Sequence, residues 1–424
     1  MTKIIILGGG FGGIRAALDL EKQLQKQLKS EQLEIILIDK SGSHLFTPLL
    51  YETATACSVK DDRFALRLRK TVSVTYADIF AGRKIKFIQA EITEIGLDSK
   101  TVLTGGGARL NFDYLILACG SRAADFGIRG IGDYAVKFKT VGDAVFINQK
   151  LREIMREKKE QLQPQSREFF AARPQVLICG AGLTGVELAA EIASCFKKAG
   201  EGRIGVNLIE AGPKILPMAS DTERAIIAGR LTKLGVAIVE NSPIDEIGPD
   251  FVQLQNGQKI NGALIVWAAG IQIEELLKKT AGLNVTENGR LAVDEFLRCR
   301  RPDGQIRQNV FAVGDIIDFQ VQGKLIPAMA LTAIEQGQSA ARNAARTMAD
   351  KKLKTYKPFY NIWIAPVGGK YALFHLGRIK IKGLLGWLIR EMVHLRYLFS
   401  ILPAKKALRL YLSDLILFTK NDGV

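Results

Sequence analysis

Two glycine turns built to one pattern lie about 170 residues apart, in KIIILGGGFGGIRAALDLEKQL (3–24) and QVLICGAGLTGVELAAEI (175–192). Each reads as a short apolar strand, a GxGxxG turn and an amphipathic helix. Gly8, Gly10 and Gly13, with Phe11 and Gly12 between them, form the first; Gly180, Gly182 and Gly185, with Leu183 and Thr184, form the second. In such a turn the first glycine permits the tight bend, the second lets the backbone approach a pyrophosphate, and the third lets helix pack on strand. The phosphates then meet the free amides and positive dipole end of the helix. A lone GxGxxG is a weak signal, because glycine turns also serve plain packing. Here both continue into a second strand that ends in an acid: LEIILIDK in Asp39, followed by Lys40, and GVNLIEAG in Glu210. A carboxylate there accepts hydrogen bonds from a ribose diol and repels a 2′-phosphate. The second cradle therefore reads as a site for NADH rather than NADPH, although Lys214 nearby argues the other way. The expected fold class is α/β, with two Rossmann-like dinucleotide-binding domains, each a parallel sheet covered by helices on both sides.

Three more apolar strands punctuate the chain. FDYLILACGSRA (112–123) closes on Ala118 and Gly120, GALIVWAAGIQ (262–272) on Ala269 and Gly270, and NVFAVGDI (309–316) on Gly314 and Asp315. Singly these are core strands with ordinary turns. In this order around two cradles they read as turns that meet bound dinucleotides, and Asp315 is placed to reach a ribityl hydroxyl of a flavin. The cysteines at 57, 119, 179, 195 and 299 contain no CxxC or CxxxxC pair, which argues against a disulfide framework, a cysteine zinc site and a dithiol redox centre. His44, His375 and His394 are scattered, so no metal site is expected. A strand-like run beginning at Lys3 leaves no room for a signal peptide, and the cytoplasm is the expected compartment.

The two cradles with LILACGS, WAAG and FAVGD resemble the flavoproteins with two dinucleotide-binding domains that are related to glutathione reductase. Within that group, HLFTPLLYETAT (44–55), DFGIRGIGDYAVKFKTVGDA (125–144), GAGLTGVELAAEI and GLLGWLIREMVHLRYL (383–398) resemble type II NADH:quinone oxidoreductases, the non-proton-pumping NADH dehydrogenases. The resemblance implies non-covalent FAD in the first cradle, with Asp39 on its ribose, Asp315 on its ribityl chain, Thr47 and Pro48 near its ring, and the Ala118-Cys119-Gly120 turn beside it. NADH, as substrate, takes the second cradle, and its nicotinamide meets the flavin. A dithiol reductase or a sulfide:quinone reductase needs paired cysteines by the flavin, whereas HLFTPLLYETATACSVK holds only Cys57.

Glu187 follows the second cradle in LTGVE. The resemblance places it near the nicotinamide and flavin; the alternative is an acid complementing the helix dipole from the first turn. The family's A-Q-x-A-x-Q motif, which lies on the quinone side, corresponds to Ala330, Leu331, Thr332, Ala333, Ile334, Glu335 and Gln336. Both alanines are kept, but Leu331 and Glu335 replace the glutamines. Glu335 becomes a candidate proton donor and Gln336 a candidate substitute amide, which leaves the acceptor less certain than FAD or NADH.

Fifty-nine basic against 43 acidic side chains give a net charge of +16, and residues 370–424 carry +7 of it. A charge this large favours an anionic partner. In GLLGWLIREMVHLRYLFSIL (383–402) the apolar residues contribute roughly −3 to −6 kcal/mol to insertion, while Arg390, Glu391 and Arg396 cost about 2.5–3.5 kcal/mol each, so no spanning helix is expected. In AKKALRLYLSDLILFTK (404–420), Leu408, Tyr411, Leu412, Leu415 and Phe418 share a helical face. Lys405, Lys406, Arg409, Ser413 and Lys420 lie away from it, and Asp414 breaks the pattern. Such a helix suits an anionic membrane surface, or a core or homodimer contact.

The expected organisation is a split FAD domain (1–143 and 272–355), an NADH domain (144–271) and a membrane-association region (356–424). The expected function is a peripheral enzyme at the cytoplasmic face of the membrane that passes two electrons from NADH through FAD to a quinone of the menaquinone or ubiquinone class. One rival is a soluble NAD(P)H flavoenzyme that reduces ferredoxin, rubredoxin or a similar acceptor. Another is a non-enzymatic flavoprotein that binds nucleic acid, disfavoured because the excess charge shares a tail with a leucine face.

Overall fold

The computed structural model describes residues 1–56, 72–161, 174–201, 204–359 and 361–419; Cys57, Lys420 and the side chain of Phe418 lie outside them. The chain divides into two compact units. One comprises Met1–Leu45, Ser73–Arg122 and Ile271–Tyr360, the other Phe46–Val72, Ala123–Gly270 and Asn361–Val424.

The first unit is built on a six-stranded sheet in the order Arg298–Arg300, Ile306–Ala312, Tyr114–Leu117, Thr2–Leu7, Leu33–Asp39 and Ile85–Gln89. All neighbours are parallel except the first pair. Thr2–Leu7 is paired on both sides, and Ile4, Ile5 and Ile6 are wholly buried. That explains the unbroken apolar run in its sequence, because a strand covered on both faces has no solvent side to mark with polar residues. The second unit repeats the plan with five parallel strands, Val136–Lys137, Leu264–Trp267, Gln175–Cys179, Gly205–Ile209 and Val236–Val239. In each sheet the strand before the glycine turn has the next βα strand on one side and a later strand on the other. Both cradles thus lie at a topological switch point, where the loops diverge and leave a crevice.

The turns in LTGGGARLNFDY and LQNGQKINGA are the hairpins expected of them. Thr101–Thr104 pairs with Arg109–Asn111, and Phe251–Leu254 with Lys259–Asn261. The second unit ends in a three-stranded antiparallel sheet (Ile362–Pro366, Ala372–Leu376, Ile379–Gly383) and the packed helices Leu384–Ile401 and Ala404–Thr419. No helix among the described residues is long and apolar enough to cross a membrane.

The last helix departs from the helical-face reading. Ala407 and Asp414 are its buried positions, while Leu408, Leu412 and Ile416 are 45%, 46% and 58% exposed. The helix docks through its small and acidic residues and turns much of its leucine row outward. Leu384, Leu385, Leu388, Met392, Val393 and Phe399 of the preceding helix are exposed as well.

In the first unit the cradle helix Phe11–Gln23 packs on Ala330–Met348. The approach is close enough that a Cβ on Gly337 would stand 2.3 Å from the Gly12 carbonyl oxygen. Gly337→Ala should therefore lower the urea unfolding free energy by about 1–3 kcal/mol. Gly229→Ala, in helix Asp221–Leu234 with nothing within 4 Å of the new methyl, should raise it by about 0.5–1 kcal/mol.

Candidate functional site

The two cradles close in the same way. Gly8 has φ +101° and Gly180 φ +105°, a region that L side chains rarely adopt. A Cβ on Gly8 would lie 2.2 Å from the Ala118 carbonyl oxygen, and one on Gly180 would lie 2.7 Å from the Ala269 Cα. The third glycines seal the turn: a Cβ on Gly13 or Gly185 would meet the carbonyl oxygen of Gly8 or Gly180 at 1.9 Å. The middle glycines, Gly10 and Gly182, cap their helices and have nothing within 4 Å of a Cβ. Open backbone at a helix N-terminus is what a pyrophosphate requires.

The strand-end acids complete both turns. The Asp39 carboxylate accepts from the amides of Gly9 at 2.6 Å and Ser41 at 2.7 Å. Glu210 accepts from Ala181 at 2.7 Å and Gly212 at 2.8 Å. A carboxylate offers about four acceptor sites, so each retains capacity for a ribose. Lys214 is paired with Asp221 at 2.9 Å, and Lys40 lies 3.9 Å from Glu274 with its side chain 69% exposed. Beneath the first cradle, Tyr76 donates to the Gly9 carbonyl at 3.0 Å, and His44 Nδ1 lies 3.1 Å from the same oxygen. Burial pushes the His44 pKa down to about 4, so it is neutral.

Around Asp315 the first unit forms a cleft lined by Arg290, Asp315, Met329, Thr332, Ala333 and Gln336. Ser121 Oγ donates to the Asp315 carboxylate at 2.6 Å. Gly314 has φ +83°, and its amide donates to the Gln336 side-chain oxygen at 2.6 Å. The buried Gln336 amide thus supports the loop that carries Asp315. Glu335 is half-buried, accepts from the Phe359 amide at 3.1 Å and lies against Tyr356. Burial raises its pKa, against those two contacts. Leu331 is 37% exposed, and Ala330 begins the helix. Gly120 and Gly270 have positive φ at the two turns, next to Ala118 and Ala269. Burial pushes the Cys119 thiol up to about 12, as expected of a small buried residue rather than a redox group.

Thr47–Leu49 is a short 3-10 turn with Pro48 in it, followed by helix Leu50–Thr55 in the second unit. In the same unit the helix after the second cradle begins at Leu183 and has no acid in its first turn. Glu187 therefore lies one turn further in than expected, where the dipole has faded. Its pKa is pushed up to about 8 by burial, with Arg390 pulling it down.

Arg390 was legible in the sequence only as a cost to membrane insertion. Its guanidinium is buried and donates to Tyr51 Oη at 2.6 Å and to the carboxylates of Glu52 and Glu391. The signal for this cluster was the pair of charges inside an otherwise apolar helix, since a buried charge needs partners.

The pattern of the pyridine nucleotide-disulphide oxidoreductases matches residues 2–337. The chain belongs to that family. This pyridine nucleotide-disulphide oxidoreductase is 29% identical over 385 residues to a type II NADH:quinone oxidoreductase of Haemophilus influenzae, covering 84% of this chain and 83% of that one. It is 28% identical over 424 residues to the type II NADH:quinone oxidoreductase Ndh of Mycobacterium tuberculosis, covering 94% and 84%. In fold it is similar to NDH2 of Plasmodium falciparum, solved in complex with NADH (TM-score 0.80, 19% identity, 100% and 99% covered). It is also similar to the sulfide:quinone oxidoreductase of Aquifex aeolicus (TM-score 0.77, 19% identity, 95% and 91% covered).

The second cradle yields a direct test. Glu210→Ala removes both the ribose acceptor and the charge that repels a 2′-phosphate. The ratio of kcat/KM for NADH over NADPH should fall at least about tenfold, the scale of one lost charge-assisted hydrogen bond. Steady-state assays with both nucleotides check it.

Proposed function

We propose that this chain is a type II NADH:quinone oxidoreductase, a peripheral membrane flavoprotein that oxidises NADH and reduces a quinone by two electrons without pumping protons. The observation that carries this reading is the pair of like cradles, each with an open helix N-terminus and an acid held at the ribose position. The residues present fit FAD in the first cradle, where Gly10 leaves the backbone open and Asp315 lines the adjoining cleft. When bound, FAD supplies the two-electron chemistry, taking a hydride from NADH and yielding electrons to the quinone. The FAD-binding part is assigned to residues 1–143 and 272–355, the NADH-binding part to 144–271 and the membrane-association region to 356–424.

The chain's own groups do the remaining work. Asp39 and Glu210 orient ribose, the helix amides hold pyrophosphate, and Asp315 takes the ribityl hydroxyls. Thr47, Pro48, Ala118, Gly120 and Ala330 border the flavin, and Ala269 and Gly270 the nicotinamide nucleotide. Glu187, largely protonated at neutral pH, holds a proton for the reacting pair. The quinone is of the menaquinone or ubiquinone class. Glu335 stands where the family has an amide, and its raised pKa suits a proton donor to the quinone.

Membrane docking at the cytoplasmic face is supported by the exposed apolar rows on Leu384–Ile401 and Ala404–Thr419, next to exposed Lys405, Lys406 and Arg409. Apolar insertion and attraction to anionic headgroups add together on such a surface. A second copy of the chain is the other occupant that this face would suit. One observation favours a different acceptor, such as a ferredoxin: the exposed Leu331 replaces a carbonyl-reading glutamine.

Anaerobic stopped-flow tests the reading on the purified protein. NADH should bleach the flavin, and a short-chain menaquinone or ubiquinone should restore its colour within the turnover time, faster with anionic liposomes. Bleaching followed by slow recovery with every quinone would move the assignment to another acceptor. A pH series adds a second check. Glu187 carries its proton below about pH 8, so activity that uses this proton should fall as pH rises through about 8, and Glu187→Gln should flatten that limb.

A further inference from the structure

Asp414 is 1% exposed on the inner side of helix Ala404–Thr419, and neither of its carboxylate oxygens has a hydrogen-bond partner among the described residues. A buried, unpartnered carboxylate is among the costliest groups a protein can hold, so its placement calls for a reason. Its surroundings are acidic. Glu52, from helix Leu50–Thr55, and Glu391, from Leu384–Ile401, face it, and both already bind the single guanidinium of Arg390. The other titratable groups of the cluster are Tyr51 on the first of these helices, His394 beside Arg390 on the second, Tyr411 on Asp414's own helix, and Glu187 and Glu191 on Leu183–Lys198. His394 is held neutral by burial and by Arg390, and Glu191 accepts the Gly369 amide at 3.1 Å.

Three carboxyl groups and one guanidinium cannot all stay charged in a buried site. Glu52 and Glu391 hold the arginine, which leaves Asp414 to carry a proton. Burial, then the charges of Glu52 and Glu391, push its pKa up to about 9. The group is neutral across physiological pH and is an acid by function rather than a charge.

A contiguous set of oxygens leads from it. Tyr51 Oη donates to Glu52 Oε1 at 3.3 Å and accepts from Arg390 Nη2 at 2.6 Å. Helix Leu50–Thr55 packs on Leu183–Lys198, bringing Tyr51 within electrostatic reach of Glu187. We propose that Asp414 is the entry residue of a proton relay that runs through Glu52 and Tyr51 to Glu187 and supplies the proton that quinone reduction takes from water. This rests on the NADH:quinone reading above. The reaction NADH + H⁺ + quinone → NAD⁺ + quinol draws two electrons and one proton from NADH as hydride, and one proton from solvent. In the relay the Asp414 O–H bond breaks as one forms on Glu52. Glu52 then passes its proton to the Tyr51 hydroxyl as Tyr51 gives its own to Glu187. Asp414 regains a proton from water when the terminal helix opens locally, as chain ends do at low cost.

Ferricyanide separates this role from a structural one, because it takes electrons from the reduced enzyme without protons. The wild-type holoenzyme is first assayed in detergent with NADH and either ferricyanide or a short-chain quinone, which removes membrane docking from the comparison. Failure of the wild type with quinone alone would sink the functional reading whatever Asp414 does. If quinone is reduced, Asp414→Asn, the neutral isostere, should lower the ratio of quinone to ferricyanide turnover about tenfold, a modest share of the factor general acids contribute. Asp414→Glu should restore it. Tyr51→Phe, which keeps the ring and removes the relaying hydroxyl, should lower the ratio likewise with an unchanged circular dichroism spectrum. An Asp414→Asn ratio within twofold of wild type, a proportional fall of both activities, or an unaltered Tyr51→Phe ratio would each overturn the relay.

Discussion

A carboxylate at a strand end, taking the amide of the neighbouring glycine turn, is the contact on which both halves depend. Asp39 holds Gly9 and Glu210 holds Ala181, at 2.6 and 2.7 Å. Each bond fixes a turn whose first glycine already has a strained, left-handed φ, and it satisfies an amide that would otherwise cost about 1–3 kcal/mol if buried unpaired. With the turn fixed, the strand beneath can run straight into the sheet centre, and the helix above starts with its amides free. The same contact thus serves folding and recognition: the acid that closes the turn stands where a ribose would lie.

Much of this was readable in the sequence because it is local. A glycine turn, the strand before it and the acid at the end of the next strand span about thirty residues, and each has a residue type that physics nearly dictates. The hairpins with Gly107 and Gly257, both at positive φ, were legible for the same reason. Positions that depend on distant partners were not. Glu187 was expected in the first helical turn because the sequence does not mark Gly182 as the cap. Gln336 looked free to read a substrate, yet its oxygen serves the Gly314 amide, 22 residues back in the chain. Asp414 looked like a flaw in an amphipathic pattern. It is the buried pivot of its helix, and no periodicity rule anticipates an inward acid whose environment is assembled from three other helices.

The Arg390 cluster illustrates how a tail can carry charge inward. Removing either glutamate would leave an uncompensated charge in the interior, a loss of several kcal/mol in comparable buried pairs. The cluster therefore ties Leu384–Ile401 to Leu50–Thr55, two helices more than three hundred residues apart in sequence, by a bond that tolerates few substitutions. Apolar contact alone would join them less specifically, since hydrophobic surfaces slide where a fork of hydrogen bonds does not.

The outward rows of the two terminal helices, Leu385, Met392 and Ile416 among them, also set how the protein behaves away from lipid. Contiguous apolar surface of this kind is a colloidal liability in plain buffer. Chains would satisfy it by clustering with one another, and light scattering would then register protein micelles rather than a stoichiometric assembly. Detergent, by covering the same rows, decides whether a true particle mass can be weighed at all.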